Sequence, residues 1–119
     1  MAMAAPRFQI VSVPLGRGPV GSVIKFKMQN VPGYEAHAIL LRDTTTVTTW
    51  ESSELVGKQV AEPLAAKGLH TLQVTCVFTT ARPASVNVTF QLNNGPVTTV
   101  VLAGKKPDVS RAVATVRIV

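Results

Sequence analysis

Between Gly68 and Asn93 the chain commits to extended structure twice in succession. Leu72, Val74, Cys76 and Phe78 alternate with Thr71, Gln73, Thr75 and Val77. Further on, Val86, Val88, Phe90 and Leu92 alternate with Ser85, Asn87, Thr89, Gln91 and Asn93. A strict period of two places each apolar set on one face of a strand, because successive side chains of extended backbone point to opposite sides. The stretch between the runs, Thr79-Thr80-Ala81-Arg82-Pro83-Ala84, is short and holds a proline. The two runs are therefore predicted to pair as an antiparallel hairpin, apolar flank to a core, amides and hydroxyls to water. The rest of the chain has to cover that flank.

It carries the means to do so. Phe8 to Val13 reads as a first strand stopped by Pro14, and the loop Gly16-Arg17-Gly18-Pro19-Val20-Gly21 follows. From Val23 to Val31, Ile24, Phe26 and Met28 alternate with Lys25, Lys27 and Gln29, a half-buried strand with a basic outer face. Val31-Pro32-Gly33-Tyr34 has proline and glycine where a type II turn needs them. Further strands are predicted at Ala36–Arg42, Thr45–Trp50, Val97–Leu102 and Ala112–Val119, with a turn at Asn93-Asn94-Gly95-Pro96 and a basic loop from Ala103 to Asp108. The segment from Glu51 to Lys67 has no clean period; it accommodates a short strand at Lys58-Gln59-Val60 and one helical turn near Ser53-Glu54-Leu55 or Glu62 to Lys67. The reading is all-β: an antiparallel two-sheet sandwich of about eight strands forming a single domain over residues 1–119. Residues 1–7 are a candidate N-terminal arm.

Charge narrows the function classes. Only 15% of residues are charged, against about 25% in an average chain. The polar remainder is mostly Thr, Ser, Gln and Asn, which suits strands and also suits surfaces buried against other subunits, where a charge is costly to desolvate. Twelve Lys and Arg against six Asp and Glu leave a net +6. These charges are scattered, with no run longer than Lys105-Lys106, so a nucleic-acid footprint is not expected. Phe26, Phe78 and Phe90 share the apolar phase of their strands and read as core rather than as base-stacking platforms. One cysteine excludes an intrachain disulfide, and Cys76 falls on an inward phase. The start, Met1-Ala2-Met3-Ala4-Ala5-Pro6, lacks a signal peptide's basic start and apolar run, so cytoplasmic synthesis is the expectation.

A short family resemblance runs along Ala66-Lys67-Gly68-Leu69-His70-Thr71-Leu72-Gln73-Val74. It resembles the Gly-x-aromatic-x-apolar-x-apolar lead into a late strand of immunoglobulin-like and polycystic-kidney-disease-type modules, with His70 where those modules usually have a tyrosine. The resemblance implies an Ig-like sandwich and transfers no binding site. A jelly roll fits the strand count almost as well.

No catalytic pattern accompanies the fold. Gly16-x-Gly18-x-x-Gly21 resembles a dinucleotide fingerprint, but strand-like Val23 to Met28 follows where a helix is required, so the loop reads as a flexible connection. The same stretch also resembles the phosphate-covering hairpin of protein kinases, but the His-Arg-Asp and Asp-Phe-Gly motifs are missing. His37 and His70 stand without metal-ligand spacing and are expected each to be satisfied by a hydrogen bond. No cofactor or metal is implied, and the expectation is a non-enzymatic structural protein. It would attach to protein subunits of a larger assembly, or to copies of itself. A bacteriophage virion accessory is the natural instance, either a capsid decoration (cement) protein or a tail-associated Ig-like module. Candidate partner contacts are Arg17, Lys25, Lys27, Tyr34, Lys105 and Lys106. The alternatives are an adhesin or carbohydrate-binding module using Tyr34 and Trp50, and a basic nucleic-acid-binding domain.

Overall fold

The computed structural model describes residues 7–119. Nine strands follow in chain order: β1 (Phe8–Gly18), β2 (Val23–Met28), β3 (Tyr34–Arg42), β4 (Thr45–Glu51), β5 (Gln59–Pro63), β6 (Gly68–Phe78), β7 (Ala84–Leu92), β8 (Val97–Gly104) and β9 (Val109–Ile118). One helical turn, α1 (Ser52–Leu55), sits between β4 and β5. The strands form two sheets, ordered β1-β9-β6-β3-β4 and β5-β2-β7-β8. The chain is thus all-β with two sheets enclosing one core.

Period-two alternation explains which side chains are inside. Leu72, Val74, Cys76 and Phe78 of β6 meet Val86, Val88 and Phe90 of β7, with Ile24, Phe26 and Met28 of β2 and Ala112, Ala114, Val116 and Ile118 of β9 in the same cluster. Phe26 and Trp50 bring the two sheets together edge to face, ring centroids 5.3 Å apart at 76°. Buried alanines flank the inward residues of β6 on both sides, Ala36 beside Cys76, Ala38 and Ala112 beside Val74, and Ala114 beside Leu72, leaving room for the side chains of the facing sheet.

Three expectations are corrected. β6 and β7 do not pair: β6 lies between β3 and β9, whereas β7 lies between β2 and β8 in the other sheet. The link between them crosses the sandwich, whose layers are about 10 Å apart. Two apolar faces pointing at each other across a core satisfy the same alternation as two faces side by side, so the pattern alone does not separate them. Second, the sheets are not wholly antiparallel, because β1 runs parallel to β9. Third, β1 does not stop at Pro14. It continues to Gly18 through a register shift between Pro14 and Gly16, a bulge on an edge strand where a missing N–H is tolerated.

The turns follow local chemistry. Asn93 has φ 53°, and Gly95 N–H donates to Leu92 O at 3.0 Å, closing the β7–β8 hairpin. Asp43, also at φ 53°, turns β3 into β4. Near the end of β8 the backbone passes so close to Phe78 that a Cβ on Gly104 would stand 2.8 Å from Cδ2 and 2.9 Å from Cε2 of that ring. Gly104→Ala is therefore expected to overpack the core and lower stability by about 1–3 kcal/mol, read as a shifted urea midpoint with unchanged slope.

Candidate functional site

The five-stranded sheet carries the most distinctive surface. Its register aligns outward side chains in rows from β1 to β4. One row is Ser12, Val113, Gln73, Ile39 and Thr49; the next is Pro14, Thr115, Thr71, Leu41 and Thr46. Neither row holds a charge. The row on one side contains Ile10, Arg111, Thr75, His37 and Glu51. There Arg111 Nε donates to Thr75 Oγ1 at 2.9 Å, and its guanidinium lies 5.2 Å from the Phe8 ring centroid. His37 Nδ1 and Glu51 Oε1 are 3.3 Å apart. On the other side Arg17 pairs with Arg117. The face is thus an uncharged strip of Thr, Val, Ile, Leu and Gln between charged ends. Sequence alternation identified Thr71, Gln73 and Thr75 as outward, and only the register shows which uncharged residues line up beside them.

The basic residues singled out from sequence do not converge. Lys25 and Lys27 project from the outer face of the other sheet, and Lys25 Nζ donates to Asn94 Oδ1 at 3.4 Å. Lys105 and Lys106 lie in the β8–β9 loop, while Arg17 lies at the far end of β1; along β9 these ends are separated by about 26 Å at ~3.3 Å per residue. The loop is braced by Asp108, whose carboxylate accepts Arg7 N–H at 3.0 Å and Lys105 N–H at 3.2 Å. These backbone donors hold its carboxyl below the usual carboxylate range. Arg7 is therefore anchored, and the rest of the expected N-terminal arm lies outside the described residues.

Tyr34 requires a correction. Its ring is buried, and its hydroxyl donates to Gln29 O at 2.6 Å. Burial, with Cys76 as a secondary cause, pushes the phenol up to about 12. Tyr34 is a structural tyrosine and offers little to a partner. Trp50 is likewise inside, so neither aromatic of the carbohydrate-binding alternative forms an open platform. His70 departs from expectation as well: it is 3% exposed, and its Nδ1 has no hydrogen-bond partner.

The glycine-rich stretch is not a loose loop. Gly16 and Gly18 lie within β1, and Gly21 N–H donates to Leu64 O at 2.9 Å. Among the described residues, no three His, Cys, Asp or Glu side chains gather as a metal site. No helix there is long and apolar enough to cross a membrane. No protein-family model, curated protein or solved structure matches the chain.

Proposed function

We propose that this chain is a non-enzymatic structural module that docks onto a larger protein assembly through the outer face of its five-stranded sheet. The observation that carries the reading is the pair of charge-free rows across that face, in a chain with eighteen charged side chains to place. Covering Thr, Gln, Val, Ile and Leu against a neighbour avoids the several kcal/mol lost when an unpaired charge is desolvated. The charged residues at both ends of the strip would form a polar rim that sets orientation more than affinity.

The sandwich is read as Ig-like, on the strength of the Ala66–Val74 lead into its central strand, with β7 and β8 added to the opposite sheet. A bacteriophage virion accessory, a capsid decoration protein or a tail-associated Ig-like module, is the kind of assembly such a face suits. A shell provides many copies of one surface, so a single uncharged docking face is sufficient.

The test is co-sedimentation with purified virion particles, comparing the wild type with Gln73→Lys. Gln73 lies at the centre of a charge-free row, and its replacement points outward, so stability should change by less than about 0.5 kcal/mol. Docking should weaken about tenfold or more, because the ammonium must be buried unpaired. Equal binding by both proteins, or a wild type that ignores the particles, would defeat the reading.

A further inference from the structure

Charge is segregated along the width of the same sheet. β1, β9 and the stretches leading into them carry Arg7, Arg17, Lys105, Lys106, Arg111 and Arg117 against the single acid Asp108. On β3, β4 and the turn between them the balance reverses: Glu35, Asp43 and Glu51 stand against Arg42. The two poles coincide with the two open edges, since β1 is the last strand on one side and β4 the last on the other. Each edge leaves backbone N–H and C=O groups unpaired on its outer side.

We infer that the protein associates head to tail with a second copy of itself, the β4 edge of one molecule adding to the β1 edge of the next. This rests on the reading of the five-stranded sheet as a docking element and names one partner for its edges. Strand direction permits it. β3 runs parallel to β9 and β1 through two antiparallel steps, and β4 runs opposite to β3, so adjacent copies meet as an antiparallel pair.

The charges then fall in register. Extending the rows into the next molecule sets Glu51 beside that copy's Ile10, with Arg111 one strand further on. The Arg111 guanidinium lies 5.2 Å from the Phe8 ring centroid while its Nε donates to Thr75 of β6, so its charge sits one strand in from the edge, flanked by the exposed Phe8. The Glu51 side chain, 3.3 Å from His37 Nδ1, is 70% exposed and gives the β4 edge its negative charge. At the other end, the Asp43 turn falls nearest the neighbour's Arg17 and Arg117. The exposed Phe8 and Ile10 would be covered in the same contact.

Bulges restrict where pairing occurs. β1 shifts register at Pro14/Gly16, and the β3–β4 pair shifts at Leu40/Leu41, which leaves Val47 as the extra residue. The regular lengths that remain, Phe8–Val13 and Thr48–Glu51, lie at the same end of the sheet, where they can meet. Such an interface is heterologous, using different patches on each copy, so repetition gives a closed ring or an open filament rather than an isologous dimer.

The experiment uses the full chain and needs no ligand. In sedimentation velocity across a concentration series at low salt, the average mass should climb above that of the 12.6 kDa monomer. It should fall back at about 1 M salt, where the screening length shrinks to about 3 Å. Glu51→Lys, at an exposed edge position, should weaken association at least about fivefold. Mixing supplies the geometric test. Ser12→Cys and Thr49→Cys are made in separate molecules, and the native Cys76 is buried. Oxidation should yield a disulfide dimer only when the two are combined. A monomer at every concentration would overturn the inference, as would each cysteine variant cross-linking equally well by itself. Either result leaves the particle-docking test with Gln73→Lys untouched, so the two readings fail separately.

Discussion

Phe26→Ala is expected to lower the free energy of unfolding by about 3–5 kcal/mol, the usual cost of emptying a phenylalanine site that cannot collapse. The site cannot collapse because both sheets hold it. Phe26 is fully buried on β2, pairs with Phe90 of β7 on one side and Val60 of β5 on the other, and meets Trp50 of the opposite sheet edge to face. Backbone ladders fix the position of each wall, so removal of the ring leaves a void instead of a rearrangement. For a domain with a typical 5–15 kcal/mol of stability, that loss is a large share of the whole. Urea unfolding followed by Trp50 fluorescence should show the midpoint fall by roughly 2 M at unchanged slope. A loss below about 1 kcal/mol would mean that this ring does not join the two layers, and the sandwich core would need redrawing.

The second large effect is alkaline. Burial pushes the Cys76 thiol up to about 12 from an ordinary value of 9.0, and the Tyr34 phenol up to about 12 from 10.0. Both groups are neutral when protonated, and the folded state holds those protons more tightly than the unfolded chain does. Their stabilising contribution is fully present below the unfolded values. It is lost as the pH rises through about 9 and 10 toward about 12, because the unfolded chain releases its protons first. For Cys76 the rise from 9.0 to about 12 corresponds to about 4 kcal/mol at the limit. Urea midpoints measured at intervals above about pH 8 should therefore decline. Cys76→Ala, although less stable at neutral pH, should show a shallower decline. A profile as steep in that variant as in the wild type would show that the thiol does not carry the effect. The same burial should keep Cys76 unreactive toward an aromatic disulfide reagent at about pH 8 until the protein unfolds.

Of the side chains behind these predictions, Phe26 and Cys76 were readable as buried from the sequence, whereas Tyr34 was not. Phe26, Phe78, Phe90, Cys76 and Leu72 each occupy the inward phase of an unbroken alternation, and each lies in the core. The Asn93-Asn94-Gly95-Pro96 turn was also legible, and of the two placements left open for a helical turn the structure takes Ser52–Leu55, while Glu62 and Pro63 of the other belong to β5. The candidate site was legible only in fragments. Thr71, Gln73 and Thr75 could be assigned to an outer face, but nothing in their order places Gln73 between Val113 and Ile39. Tyr34 was misread because a residue beside a Pro-Gly turn resembles an exposed one; its burial comes from β6 alongside, where it pairs with Phe78.

By itself, the order of residues determined that most of the chain is extended and which flank is apolar in the strands with unbroken alternation, β2, β6 and β7. Side-chain alternation is a property of a single strand and does not depend on its neighbours. Tertiary structure decided the partners: β6 and β7 in separate sheets, β1 parallel to β9, acidic strands at one edge and basic strands at the other. Those choices depend on how several apolar flanks close over one another at once, and they join residues as far apart as Phe8 and Val109. No local pattern contains that information, because equivalent alternations can be satisfied by more than one set of partners.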